Sequence, residues 1–128
     1  MTPAILLVDD DGFLLTLTAE LLSGLGYQVR TARNGGEALA VLDHGHAVDL
    51  LVTDVQMPGL HGFELARRAQ ALRPTFAVLY CTGHAEMIGD EMGPALGPIL
   101  GKPLPVERLH QEIMRVHQAE TSSRANVL

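Results

Sequence analysis

Short apolar runs alternate with longer amphipathic stretches about five times along the chain. Ala4 to Val8, Val48 to Val52, Phe76 to Tyr80 and Pro98 to Leu100 are nearly unbroken runs, the pattern of parallel strands covered by helices on both faces. Tyr27 to Thr31 alternates apolar and polar positions instead, which predicts an edge strand. Between the runs, Phe13, Leu14, Leu17, Leu21 and Leu25 share one helical face, and Leu39, Val41 and Leu42 follow the Asn34-Gly35-Gly36 turn; both stripes are predicted to lie on the sheet. Phe63, Ala66, Ala69 and Leu72 form a third stripe closed by Pro74. Val106, Leu109, Ile113 and Val116 form the last, with Pro105 placed in its first turn. His84 to Gly97 carries Gly89, Gly93, Pro94 and Gly97, so a short or mobile element is predicted there, each internal Gly costing a helix roughly 1 kcal/mol relative to Ala. Glu120 to Leu128 is polar without a clear stripe and is predicted to fray. The rhythm is βα repeated, an α/β fold with a doubly wound five-stranded parallel sheet.

Length and composition narrow this picture. At 128 residues, 47% of them hydrophobic, the chain fits one domain over residues 1–120 with a disordered tail at 121–128. The net charge of −6 argues against direct nucleic-acid binding, which needs a basic face to neutralise phosphates. The single cysteine, Cys81, cannot form an intramolecular disulfide, and Ala4 to Val8 is too short for a signal peptide. A cytoplasmic protein without membrane insertion is expected. Met1 stands just before the first strand, as a natural N-terminus would.

Polar chemistry collects where the apolar runs stop. In an open parallel sheet, ligands bind beyond the carboxyl ends of the strands. The first run ends in Asp9-Asp10-Asp11, the third in Thr53-Asp54, the fourth in Cys81-Thr82 and the fifth in Gly101-Lys102. Carboxylates gathered so closely repel one another unless a cation sits among them. A hard divalent ion with oxygen ligands answers this, and magnesium suits best because it accepts one or two carboxylates, keeps waters and is completed by phosphate oxygens. An aspartate in such a site can act as nucleophile toward a phosphoryl group, while a lysine neutralises the phosphoryl oxygens and Thr82 donates to one of them. Any single acid here is as readily a helix N-cap, and Asp11 is expected to be one. Thr82 alone would be a turn residue and Lys102 a surface charge. Their joint placement at strand ends is what favours a site.

These residues resemble the receiver domain of two-component response regulators, over residues 4–118. The resemblance rests on Leu7-Val8-Asp9-Asp10-Asp11, on Thr53-Asp54-Val55-Gln56-Met57-Pro58-Gly59 with Gly62 following, on Thr82-Gly83, and on Gly101-Lys102-Pro103. It implies the flavodoxin-like strand order 2-1-3-4-5. It implies Asp54 as phosphoacceptor, Mg2+ bound by Asp10, Asp54 and the backbone carbonyl of Gln56, and Asp9 contributing through water. Lys102 would pair with Asp54 or its phosphoryl group, Thr82 would be the switch hydroxyl, and the Lys102-Pro103 bond would be cis. Gln56 and His84 occupy the positions that tune how fast water removes the phosphoryl group. The implied donor is a sensor histidine kinase or a histidine phosphotransfer protein. The family's switch also uses an aromatic residue three positions before the lysine. Here that position is Ile99, so the segment after Thr82 is expected to transmit the signal differently, by ordering a mobile loop.

Three functions compete. The first is a signalling phosphoacceptor that catalyses only its own phosphorylation and dephosphorylation, either stand-alone, in a phosphorelay, or as a receiver cut from a hybrid histidine kinase. The second is a magnesium-dependent phosphatase, disfavoured because Gln56 stands where a second acid is usual and no cap insertion is present. The third is a pseudo-receiver acting only as a protein-binding module, disfavoured by the complete acidic set with Thr82 and Lys102. Outside the site, His44-Gly45-His46 reads as a solvated turn, Cys81 as a small buried hydrophobe, Met87 and Met92 as ordinary packing, and His110 and His117 as solvent-facing.

Overall fold

The computed structural model describes residues 2–83 and 96–127, with backbone alone from residue 120 onward. In chain order the elements are β1 (Ala4–Val8), α1 (Gly12–Gly24), β2 (Gln28–Ala32), α2 (Gly35–Asp43), β3 (Leu50–Thr53), α3 (Gly62–Leu72), β4 (Ala77–Thr82), β5 (Ile99–Gly101) and α4 (Val106–Val127). The strands form one parallel sheet in the order β2-β1-β3-β4-β5. The expected doubly wound architecture is therefore present, with the alternating segment at the edge as β2.

Strand alternation divides the core in two. Leu6, Val8, Leu51, Val78 and Tyr80 meet α2 and α3 on one face. Ile5, Leu7, Leu50, Val52, Leu79 and Cys81 meet α1 and α4 on the other. The central strands β1, β3 and β4 are buried throughout, which explains why they read as unbroken apolar runs.

Helix α1 corrects the predicted face. Leu15 and Leu22, two turns apart, are buried against the sheet, with Ala19 packed between them. The predicted stripe faces outward: Phe13 is 80% exposed, and Leu17, Leu21 and Leu25 are each more than two-fifths exposed. The helix carries leucines around most of its circumference, so apolar period alone could not choose the buried side. Small Ala19 favours the flank that the sheet approaches. Asp11 caps this helix as expected, its Oδ1 accepting the Leu14 N–H at 3.1 Å.

The other stripes hold with local changes. Phe63, Ala66 and Ala69 are buried on α3, but Leu72, in the last turn, is 52% exposed. On α2, Leu42 is buried, while Leu39 and Val41 only flank the core and Ala38 takes the central position. On α4, Leu109 and Ile113 are buried and Val106 and Val116 flank them; Pro105 stands just before the helix, its carbonyl accepting the Leu109 N–H at 3.0 Å. The α4 backbone stays helical to Val127, which corrects the expectation of an irregular tail from Glu120. No Gly or Pro interrupts residues 106–127, so a helix begun at Val106 meets no backbone stop.

Two smaller readings change as well. His110 is half-buried rather than solvent-facing: its Nδ1 lies 2.7 Å from Tyr27 Oη, with the rings edge-on, tying α4 to the start of β2. His117 is also half-buried. The short element predicted within His84 to Gly97, with Met87 and Met92, lies outside the described residues apart from Leu96 and Gly97.

Candidate functional site

Asp9 follows β1, Asp54 follows β3, Thr82 ends β4 and Lys102 follows β5. Parallel register aligns these ends, because Val8 pairs with Thr53, Thr53 with Tyr80, and Thr82 with Gly101. Backbone hydrogen bonds extend the alignment beyond the strands. The Asp9 N–H donates to Ala32 O at 3.2 Å, the Asp54 N–H to Val8 O at 3.0 Å and the Lys102 N–H to Thr82 O at 2.8 Å. The Lys102-Pro103 peptide is cis, as the resemblance implies.

Helix α3 comes close enough to seat the loop after β3 only because residue 62 is glycine. A Cβ there would lie 2.2 Å from the backbone carbonyl oxygen of Asp54, well inside contact distance. Gly62 N–H instead donates to Val55 O at 2.7 Å. His61 caps the helix, its Nδ1 accepting the Glu64 N–H at 3.3 Å.

Lys102 reaches across the sheet to two carboxylates. Its Nζ donates to Asp9 Oδ2 at 2.7 Å and to Asp54 Oδ2 at 3.2 Å. The pairing with Asp54 is as expected, while the shorter bond to Asp9 is not legible in an Asp-Asp-Asp run. Strand alternation is the signal that separates these acids: Asp9 is buried and Asp10 is exposed. Asp9 also accepts the Asp11 N–H at 3.0 Å through Oδ1, so its two oxygens serve the lysine and the start of α1.

Asp54 is only 9% exposed, and its Oδ1 is buried without a hydrogen-bond partner among the described residues. Burial raises the Asp54 carboxyl above the ordinary range; the charge and hydrogen bond of Lys102 pull it back without cancelling the rise, and Asp9 adds to it. For Lys102, burial pulls the ammonium down, but the hydrogen bond to Asp9 and the charges of Asp54 and Asp9 outweigh it, leaving it raised and protonated. Carboxylate oxygens of Asp9, Asp10 and Asp54 lie within 4.8 Å of one another. Such a cluster can hold a metal ion. The orphaned Asp54 oxygen and the all-oxygen donor set fit a hard divalent cation.

Thr82 is fully buried at the end of β4. Gln56 is exposed, two residues beyond Asp54, and His84 lies outside the described residues. An aromatic ring does stand beside Ile99: its register partner Tyr80 is fully buried, packs edge-on against Phe63, and accepts the Leu96 N–H at 3.2 Å through Oη. Cys81 is nearly buried, and desolvation pushes its thiol up to about 12, so it is an inert wall rather than a nucleophile.

Comparison with known proteins places this geometry. The model of the response regulator receiver domain matches residues 5–114. The chain is 32% identical over 124 residues to the sensor histidine kinase RcsC of Escherichia coli K12, covering 94% of this chain and 13% of that protein. It is 37% identical over 118 residues to the virulence sensor protein BvgS of Bordetella bronchiseptica, covering 85% of this chain and 10% of that protein. The chain thus spans about one-eighth or less of these two relatives. A CheY-like receiver domain protein from Methanospirillum hungatei superposes with a TM-score of 0.85 at 28% identity, covering 96% of this chain and 99% of that one. With the strand order, the register of the strand ends and the family match in agreement, the chain belongs to the response regulator receiver domains of two-component systems.

Proposed function

We propose that this receiver domain accepts a phosphoryl group on Asp54 from a phosphohistidine of a partner protein and uses the modification to switch a protein-binding surface. The observation that carries this reading is the state of Asp54. It is held by Lys102 through one oxygen, while the other oxygen is buried and unpaired among the described residues. A structural carboxylate would have both oxygens satisfied or solvated.

In the transfer, an Asp54 carboxylate oxygen forms the bond to phosphorus as the phosphorus–nitrogen bond to the partner's imidazole breaks, and the imidazole leaves with the electron pair. Asp10, Asp54 and the Gln56 carbonyl would hold Mg2+, with Asp9 acting through water, and the ion when bound supplies positive charge for the phosphoryl oxygens. Lys102, kept cationic by Asp9, is placed to turn from Asp54 to a phosphoryl oxygen once the carboxylate is esterified. Thr82, one strand away, is the hydroxyl assigned to another phosphoryl oxygen, and Gln56 and His84 are assigned to tuning the lifetime. The likeness to a sensor histidine kinase supports a histidine kinase or phosphotransfer protein as donor, and we place this exchange in the cytoplasm. The domain acts on itself rather than on outside substrates.

Intact mass after incubation with acetyl phosphate and Mg2+ tests this. The expected result is a gain of one phosphoryl group that disappears without Mg2+ and in Asp54→Asn. A folded wild type that gains nothing would instead support the pseudo-receiver.

A further inference from the structure

Beside the acceptor lies a cavity of about 370 Å³ whose apolar part the proposed chemistry does not use. Its floor is the α1/α4 face of the sheet, formed by Leu7, Val52 and Cys81, and its walls include Leu14 and Thr18 from α1 and Leu104 after β5. Asp54 and Lys102 also line it. The volume falls within the range of small-molecule sites, which join an apolar body to a few converging polar groups.

We propose that this cavity is a binding site for a small neutral alcohol or phenol, an apolar body carrying one hydroxyl, whose occupancy competes with phosphoryl transfer to Asp54. The competition, unlike the binding, rests on reading Asp54 as the phosphoacceptor.

The lining selects the ligand. An ammonium has three donors, and among the described residues Lys102 directs two of them to Asp9 and Asp54, which leaves one for a ligand oxygen. An anion is disfavoured because two carboxylates already meet that single cation, and a cation is disfavoured by a floor of leucine, valine and a protonated thiol. A hydroxyl accepts from Lys102 without adding charge, while its apolar body covers the floor. In that position it tethers Lys102 and hinders the turn from Asp54 to a phosphoryl oxygen. Phe13 and Leu17 lie on a different, exposed side of α1 and do not line the cavity, so the two apolar features can be separated by mutation.

The probe is 2-naphthol, read by its own fluorescence; the chain contains no tryptophan to obscure it. Thr18→Phe fills the cavity from α1, and Phe13→Ala removes the most exposed apolar side chain of the same helix. Saturable binding is expected for the wild type, unchanged in Phe13→Ala and weakened about tenfold or more in Thr18→Phe, where tenfold equals about 1.4 kcal/mol. If Thr18→Phe does not melt cooperatively, Cys81→Leu fills the cavity from the floor and carries the same expectation. Absence of saturable binding, equal binding to the filled variant, or weakening by Phe13→Ala overturns the site. In a second arm, saturating 2-naphthol slows phosphorylation of the wild type by acetyl phosphate about fivefold or more and leaves the filled variant unaffected. An unchanged wild-type rate with the probe bound overturns the competition. If no protein takes up phosphoryl groups at all, the receiver chemistry fails while the fluorescence arm still decides the cavity.

Discussion

Strand β3 has an aspartate at each end, and the two are used in opposite ways. Asp49, before the strand, is exposed, and its Oδ2 accepts the Ala4 N–H at 2.8 Å. Its backbone also joins the ladder, the N–H donating to Ala4 O at 2.8 Å and the carbonyl accepting the Ala77 N–H at 3.0 Å. Asp54, after the strand, is buried, shares its lysine with Asp9 and leaves Oδ1 unpaired among the described residues. One carboxylate completes the hydrogen bonding of the amino edge of the sheet. The other is held against its own stability at the carboxyl edge, where ligands of parallel sheets bind. Identical side chains a few residues apart are thus set apart by burial and by which oxygens find partners.

The largest expected break in this contrast is Lys102→Ala, which removes the cation facing Asp54 but nothing near Asp49. Phosphorylation by acetyl phosphate should slow by about 100-fold, the scale of losing one preorganised charge-stabilising donor. Asp49→Asn should keep the wild-type rate; equal losses in both variants would erase the distinction. Next comes Gly62→Ala, whose added methyl meets the Asp54 carbonyl. A loss of about 2–3 kcal/mol in denaturant unfolding is expected, as for other overpacked sites.

Stability should also respond with opposite signs at the two aspartates. Because the folded-state pKa of Asp54 is raised, the ionised carboxylate costs stability at neutral pH. Without divalent cations, Asp54→Asn should be more stable than the wild type at neutral pH. That gap should close as the pH falls through the raised pKa and the wild-type carboxyl takes up its proton. Asp49→Ala should instead lose about 1 kcal/mol with its hydrogen bond to Ala4. Thermal melts across pH for both variants check the signs. The smallest effect belongs to Tyr27→Phe, which removes the contact to His110; a loss of about 0.5–1 kcal/mol with no change in phosphorylation rate is expected.

The central strands were legible because burial on both faces writes itself as continuous apolar sequence, and the candidate site was legible because four of the five runs end on the polar residues that the fold brings to one edge. Asp9, Asp10, Asp54, Thr82 and Lys102 all sit at the predicted edge. The buried face of α1 was not legible, since Leu15 and Leu22 compete with Phe13, Leu17 and Leu21 in one leucine-rich helix and only packing against the sheet chooses between them. The Lys102 to Asp9 bond was hidden for a related reason: three consecutive acids differ only in direction, which the end of β1 fixes. Tyr80 beside Ile99 depends on the register of β4 and β5, a long-range property that no local pattern carries.

The central claim is that Asp54, and not a neighbouring acid, becomes the acyl phosphate. Borohydride reduction of the protein after treatment with acetyl phosphate and Mg2+, followed by peptide mass mapping, reads this directly, because a phosphorylated aspartate is reduced to homoserine. The account predicts homoserine at position 54, with Asp9, Asp10 and Asp49 unmodified; homoserine at any of those three and an intact Asp54 would contradict it.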